Sequence, residues 1–425
     1  MRFTVILSLA LLGLSGQPVK TALEQASDLE QRVQSAAKAG NHTARISADI
    51  ELFRLLNGSP AAIEALARAY AASGDSQKAL AALNQFADLG LADEGLLDGS
   101  DHRYAAIQNL PEFRQVLARF SANEAPVSLS KVAFTMPDPG LIPEDIDYDS
   151  RSKSFLATSI LERKIVRVRT DGSVADFAPS PDNWSMVAIK IDGLRNRAWA
   201  TEVAFEGFAQ APKSAWGHSA VLCFDLGSGR LLQRIDGPLH SSLGDMTLAP
   251  HGEPIVSDND KGTLYRISNG RMVEINKMDF ISPQTAIMIP DGDQLFVPDY
   301  TRGIGRLDLR TKRVQWLNPN GVDRVALTGI DGLYLYGHTL IATQNGTSPE
   351  RVIQLELDPS LSHVILTKVV EQSASSGCDP THGVIVGNSF YYIANSGWAR
   401  LDEHGNVRPG IKLSSALIMR YNLVP

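Results

Sequence analysis

The sequence predicts a mainly β protein, a six-bladed β-propeller with a short all-α segment in front of it, and three observations predict it. Helical periodicity stops near residue 120. Beyond residue 130 short β-rich runs alternate with Gly, Asp and Asn turns. A template of apolar strand, Gly-containing turn, strand with a polar end and strand of alternating apolar residues then returns six times, at roughly 40 to 60 residue intervals, the span of one four-stranded blade. A chain of 425 residues exceeds what one small domain needs. Its 44% hydrophobic and 20% charged residues are ordinary for a globular protein, and a net charge of -7 without a basic stripe excludes a nucleic-acid footprint.

Residues 1–16, MRFTVILSLALLGLSG, place one Arg before an apolar run and then small residues, the pattern of a secretory signal peptide. The run is too short to span comfortably, and no other stretch approaches the length of a membrane helix. We therefore expect an exported protein, periplasmic or extracellular, with no membrane span in its mature form; an uncleaved N-terminal anchor is the alternative. Only Cys223 and Cys378 are present, in blades 2 and 6, which are not neighbours. Both are expected as free, buried thiols.

Residues 18–120 read as helices, rich in Ala, Gln, Glu and Leu, with Leu23, Leu29 and Val33 at near-helical spacing. Within them, residues 60–91 form two helices broken at Ser73-Gly74-Asp75, where Gly ends one helix and Asp75 or Ser76 caps the next. Leu66, Ala67, Tyr70, Ala79, Leu83 and Phe86 stand where a tetratricopeptide repeat places its packing residues, so this hairpin resembles one such repeat. A solenoid needs about three repeats, so the flanking helices must act as degenerate repeats or caps. The segment offers either a groove for a protein partner or a spacer packed on the propeller. Residues 121–130, polar and carrying Pro126, read as the linker.

In the propeller, residues 131–425, the inner strands begin near Glu144, Val187, Asp245, Thr285, Asp331 and His382. Five blades is the competing count, because an insertion at 204–217 stretches blade 2. Either KVAFTM, from residue 131, or the C-terminal ALIMRYNLV is expected to complete the last blade.

Inner-strand starts and the turns between second and third strands converge on one mouth. This geometry selects Glu144, Asp145, Asp245, Gln284 and Asp331 at strand starts, and Asp258, Asn259, Asp260, Asp299, Asn345 and Asn395 in turns. Carboxylates crowded round a channel repel one another unless a cation sits among them, and an all-oxygen set suits calcium. For Asp258, Asp260 and Asp299 a turn-fastening role is the simpler reading. His382 starts the sixth inner strand and faces the same channel, as metal ligand, proton carrier or hydrogen-bonded structural residue. Trp398 and the insertion's Phe205, Phe208 and Trp216 lie on that face, as an apolar lid or as the surface where the helices dock. Phosphate loops, zinc spacings and nucleophile elbows are absent from the sequence.

These residues carry a family resemblance. The propeller resembles the senescence marker protein and gluconolactonase family, and more distantly the paraoxonases. Glu144, in PEDIDYD, is similar to the family's first-blade metal glutamate, the Glu144-Asp145 pair resembles paired acidic residues at the paraoxonase metals, and Asp331-Gly332 resembles the family's fifth-blade ligand. Blade 4 has Pro283-Gln284-Thr285 in place of Ser-Asn-Gly, and blade 3 has Gly244-Asp245 in place of Asn-Asp. The resemblance implies calcium held by Glu144, Asp145, Gln284 and Asp331, polarising the carbonyl of a lactone or ester while Asp245 acts as base with His382 beside it. The alternative is a non-catalytic protein that holds a ligand or partner at the mouth or helical repeat.

Overall fold

The computed structural model describes residues 19–290, 292–319, 325–374 and 379–423. The expected leader at 1–16 and Cys378 lie outside them. Helices occupy Ala22–Lys38, His42–Leu55, Pro60–Ser73, Ser76–Asp88, Glu94–Leu97 and Pro111–Asn123. Local chemistry sets their ends. Thr21 and Glu24 form a capping box, Gly74 takes φ +84° to stop the third helix, and the Asp75 side chain accepts from Lys78 N to start the fourth. Ala67, Ala79, Leu83 and Phe86 are buried in one helical core.

Six antiparallel sheets follow. Their inner strands are Pro143–Asp149, Ser185–Asp192, Leu243–Leu248, Ile287–Met288, Ile330–Tyr336 and Gly383–Val386. The core is divided into apolar layers, one in each gap between blades. In the second strand of blade 5, Leu340 and Ala342 face blade 4 while Ile341 faces blade 6. In blade 1, Leu156 faces blade 2 while Phe155 and Ala157 face blade 6. Both faces of a second strand are buried, so its middle is a continuous apolar run, Phe155–Ala157 in blade 1 and Leu340–Ala342 in blade 5, rather than an alternation. Buried Cys223, in the layer between blades 2 and 3, has its thiol pushed up to about 11 by burial.

Both candidate segments close the ring. Lys131–Met136 is the outer strand of blade 6 and pairs with Ala416–Asn422, its third strand, so each chain end completes the sheet of the other.

The segment read as a linker is built into both halves. The last helix runs to Asn123, and Val127–Ser128 adds a fifth strand to blade 5. Gln372 Nε2 donates to the carbonyls of Asn123 and Ala125 at 2.7 and 2.9 Å. Pro126 interrupts pairing only between those fastenings. The helices dock on the mouth-side turns of blades 4 and 5. Arg302 Nε donates to Leu55 O at 2.9 Å, Ala92 N to Ser348 O at 2.8 Å, and buried Arg351 donates to the carbonyls of Gly90 and Leu89. Among the described residues no helix is long and apolar enough to cross a membrane.

Candidate metal site at the propeller mouth

Four inner strands carry a register shift at their mouth ends, between Pro143 and Ile146, Met186 and Ile189, Leu243 and Asp245, and Ile330 and Gly332. A bulge turns a side chain out of strict alternation. Glu144 and Asp331 stand on these bulges, and Asp245 follows the third. All three are buried, as is His382.

One ligand atom each from Glu144, Asp331 and His382 lie within 4.8 Å of one another. His382 Nε2 is 2.7 Å from Asp245 Oδ1 and 2.8 Å from Thr285 Oγ1, and its Nδ1 is 3.1 Å from the backbone oxygen of Glu144. Both ring nitrogens therefore face oxygens, which suits a doubly protonated ring. Thr285 Oγ1 donates to Asp245 Oδ1 at 2.5 Å and Asn259 Nδ2 to Asp245 Oδ2 at 2.9 Å. Asn345 Nδ2 donates to Asp331 Oδ2 at 2.8 Å, with Tyr300 OH on its Oδ1 at 3.0 Å.

The electrostatics sort these groups. Burial above all, and then Asp331, push the Glu144 carboxyl well above its ordinary value, against the pull of His382 and the Trp398 indole. Burial likewise pushes Asp331 up to about 6. Burial also opposes ionisation of Asp245, but its bonds from His382, Thr285 and Asn259 outweigh it and hold the carboxyl below the usual range. At His382 burial opposes the charge, yet Asp331 and the bond to Asp245 hold the imidazolium well above its ordinary value. Burial thus favours a proton on Glu144, whereas the bonds around Asp245 and His382 favour their charged forms.

The other candidates are placed differently. Asp145 does not share the Glu144 cluster: its Oδ2 accepts from Ile189 N at 2.8 Å and pairs with Lys190 Nζ at 2.5 Å, tying it to blade 2. Adjacent positions on a bulge diverge, and that separates the pair. Gln284 Oε1 accepts from Asn259 Nδ2 at 2.8 Å and its Nε2 donates to Ser282, so its amide is already engaged. A side chain at Gly244 would meet Asn259 Oδ1 at 2.4 Å; the amide of Asn259 fills that space from the neighbouring turn.

Asp258 and Asp299 fasten turns. Asp258 Oδ1 accepts from Ser242 N at 3.1 Å and Asp299 Oδ2 from Ile281 N at 2.6 Å, each holding the segment that enters its own blade. Gln344 and Ser159 do the same from blades 5 and 1, bonding to the carbonyls of Thr328 and Leu141. Asn395 bonds back to Ser415 O and Leu417 N within blade 6.

Trp398, Phe205 and Phe208 pack against one another over the mouth, and the Trp398 indole N–H donates to Glu144 Oε2. The blade 2 loop that carries the two phenylalanines bonds to the blade 6 loop, Ala209 N to His404 O at 2.8 Å. Trp216 stays apart, its indole bonded to Phe208 O and Ala211 O. The aromatic lid thus covers blades 1, 2 and 6, while the helices stand over blades 4 and 5. Of the partners around the axial cluster, Asn259 is among the turn residues selected from the sequence, whereas Thr285 and Tyr300 are not. Their one signal is position: Thr285 begins the fourth inner strand, and Tyr300 follows the turn-fastening Asp299.

Three buried carboxylates and one imidazole at the axis of a six-bladed propeller define the class. No protein-family model matches the chain, and no curated protein matches it. Among solved structures it is similar to a gluconolactonase from Xanthomonas campestris, at 13% identity and TM-score 0.47, covering 71% of this chain and 93% of that one. It is also similar to the calcium-binding protein regucalcin from Agrobacterium tumefaciens, at 17% identity and TM-score 0.44, covering 71% and 98%. A virginiamycin B lyase from Staphylococcus aureus is similar at 12% identity and TM-score 0.43, covering 69% and 99%.

Proposed function

We propose that the protein is an exported, calcium-dependent hydrolase of a lactone or ester, with its active site at the propeller mouth. The observation that carries this reading is the convergence of Glu144, Asp331 and His382 from blades 1, 5 and 6. Their spacing fits one cation, since ligand atoms about 2.3 to 2.6 Å from a calcium ion can stand up to twice that far apart. Among the described residues, His382 is the one positive group paired with these two buried carboxyls. Export rests on the leader-like segment at residues 1–16.

Glu144 and Asp331 would hold the ion. When bound, it supplies a Lewis acid for the substrate carbonyl and for the oxyanion that develops there. Asp331 is the leading group that sustains the charge on His382, so a cation held there would weaken that charge and favour an imidazole able to take a proton from water. Asp245 and Thr285 fix the ring and stabilise the imidazolium as it forms. The water oxygen attacks the acyl carbon, the bond to the alkoxide breaks, and His382 returns its proton to that alkoxide. The lid of Trp398, Phe205 and Phe208 excludes bulk water from this exchange.

The test is calorimetric calcium binding to wild type, Glu144→Gln and Asp331→Asn, followed by a panel of lactones and esters titrated at constant pH. One ion per chain, lost in both variants, with hydrolysis abolished in His382→Gln, is the expected result. A wild type that takes up no calcium overturns the reading.

A further inference from the structure

The gap between blades 6 and 1 stays open at its outer end. A pocket of 570 Å³ lies there, lined among others by Lys131, Val132, Phe134, Thr170, Tyr391 and Arg420. The first three belong to the outer strand of blade 6, Tyr391 and Arg420 to its second and third strands, and Thr170 to the turn between the third and outer strands of blade 1. That turn lies at the opposite end of a blade from the turn between second and third strands, so the pocket is remote from the mouth.

Other blades show why this gap is open. The third strands of blades 1, 4 and 6, Lys164–Val168, Gly303–Asp308 and Ala416–Asn422, carry Arg167, Arg306 and Arg420. Each arginine stands two residues after an isoleucine, Ile165, Ile304 or Ile418, that is buried against the next blade round the ring. Side chains two apart on a strand share a face, so all three guanidinium groups turn to that next blade. Arg167 Nη2 donates to Leu226 O of blade 2 at 3.0 Å, and Arg306 Nη1 to Ser360 O and Leu361 O of blade 5 at 2.8 and 3.3 Å. Both acceptors lie in the turn between third and outer strands, and these bonds close their gaps.

For Arg420 the corresponding turn is 169–173 of blade 1, and it spends its bonds on itself. Arg169 N donates to Ser173 O at 3.0 Å and Gly172 N to Arg169 O at 2.9 Å. Arg420 is left with Asn422 Oδ1 on its own strand, reached by Nε and Nη2 at 3.2 and 2.9 Å. Among the described residues its Nη1 has no acceptor, and neither Arg420 nor Lys131 has an ion pair. None of the described residues lining the pocket is acidic, in a chain of net charge -7. The wall behind the two cations is apolar. Tyr391 and Phe134 pack against buried Phe155, with ring centroids 5.3 and 5.2 Å away, and Val132 on the rim is 55% exposed.

These walls select the ligand. A metal ion or an ammonium meets two like charges. An inorganic anion leaves the aromatic wall and Val132 in water, and a neutral hydrocarbon covers the open edge of the guanidinium without giving it a partner. A carboxylate on an apolar chain satisfies both, with its oxygens on Arg420 and Lys131 and its chain along the rings.

We propose that this pocket binds the carboxylate of a small amphiphilic acid, with Arg420 as its principal partner and Lys131 beside it. Because the pocket is remote from the metal cluster, chelator is present throughout the test. Octanoate, 1-octanol and octylammonium are titrated calorimetrically into the full chain. The parent is compared with Arg420→Gln, Lys131→Gln and Thr170→Trp, the last filling the pocket while keeping both cations, and urea melts establish that each is folded. Octanoate should bind saturably, and less tightly as salt is raised, while the alcohol and the amine do not saturate. Arg420→Gln should weaken binding about tenfold, the loss of one charge-assisted contact, and Lys131→Gln about threefold. Thr170→Trp should abolish it. Absent octanoate binding, equal binding of the alcohol, or affinity unchanged in both Arg420→Gln and Thr170→Trp overturns the proposal. So does sedimentation with phosphatidylglycerol vesicles that depends on Arg420 while octanoate fails to saturate, which would assign the pocket to a membrane surface.

Discussion

Two buried carboxyl groups at the mouth should respond unequally to amide substitution. Asp245 is ionised and takes bonds from His382 at 2.7 Å, Thr285 at 2.5 Å and Asn259 at 2.9 Å. In Asp245→Asn the amide NH2 must face one of these donors, and His382 loses the anion it touches. Breaking one side of a buried ion pair costs about 3 to 5 kcal/mol. Glu144 is held protonated by burial and by Asp331. In Glu144→Gln a neutral amide replaces a neutral acid, its oxygen accepts from Trp398 as before, and stability should change by less than about 1 kcal/mol. Urea titrations at neutral pH with chelator present measure both values, with His382→Gln as a third point, since it removes the shared positive charge. A Glu144→Gln cost equal to that of Asp245→Asn would mean that Glu144 is ionised without a cation, and the sorting of charges given above would be wrong.

Three further outcomes follow from other parts of the molecule. Glu64 keeps its proton in the folded chain up to about 7, whereas the unfolded chain releases it near the ordinary value of 4.5, so stability should fall as pH rises between those values. Allowing for partial exposure, wild type should lose about 1 to 2 kcal/mol relative to Glu64→Gln from pH 5 to 7, read from urea midpoints. Arg351→Met deprives Gln344 Oε1 of a 2.6 Å charge-assisted bond and strips the Gly90 and Leu89 carbonyls. It should cost about 2 to 4 kcal/mol and speed proteolysis between the helices and blade 5. Gly244→Ala drives a Cβ to 2.4 Å from Asn259 Oδ1 and should cost about 1 to 3 kcal/mol, part of it recovered when Asn259→Ala is added.

The blades were legible because each repeats the same strand and turn chemistry, and a strand buried on both faces shows as an apolar run such as that of Ser154–Ser159. Every inner strand in the structure begins within a few residues of its expected start. Side-chain direction at the mouth was not legible. Glu144 and Asp145 are neighbours in sequence, yet a bulge sends one to His382 and the other to Lys190. Register shifts have no local sequence signature here, because pairing with the next strand creates them. The partners of a site residue are equally hidden. Thr285 and Asn259 reach Asp245 across 40 and 14 residues, separations that the packing of blade 4 on blade 3 and the strand pairing within blade 3 bring to hydrogen-bond length. The polar stretch at 121–130 shows the same limit: it reads as a spacer until the outer strand of blade 5 offers it a partner.

His382 and a cation are alternatives for the same charge. The imidazolium lies among Glu144, Asp245 and Asp331, its Nε2 3.8 Å from Asp331 Oδ1 and its Nδ1 3.9 Å from Glu144 Oε1. A divalent ion held by Glu144 and Asp331 would stand in the same field, and like charges that close in a dry site repel strongly. Binding must therefore expel protons, one from Glu144 as it becomes a ligand and one from His382 as the carboxylates that sustain its charge are compensated. Calcium affinity should rise with pH by up to about tenfold per unit for each proton released. Titrations in buffers of different ionisation enthalpy count those protons directly, independently of any substrate. Release of between one and two protons per calcium, falling by one in Glu144→Gln if that variant retains weak binding, is the expected result. Binding that releases no proton and is flat in pH would place the ion elsewhere and leave the axial cluster a structural network with His382 as its permanent cation.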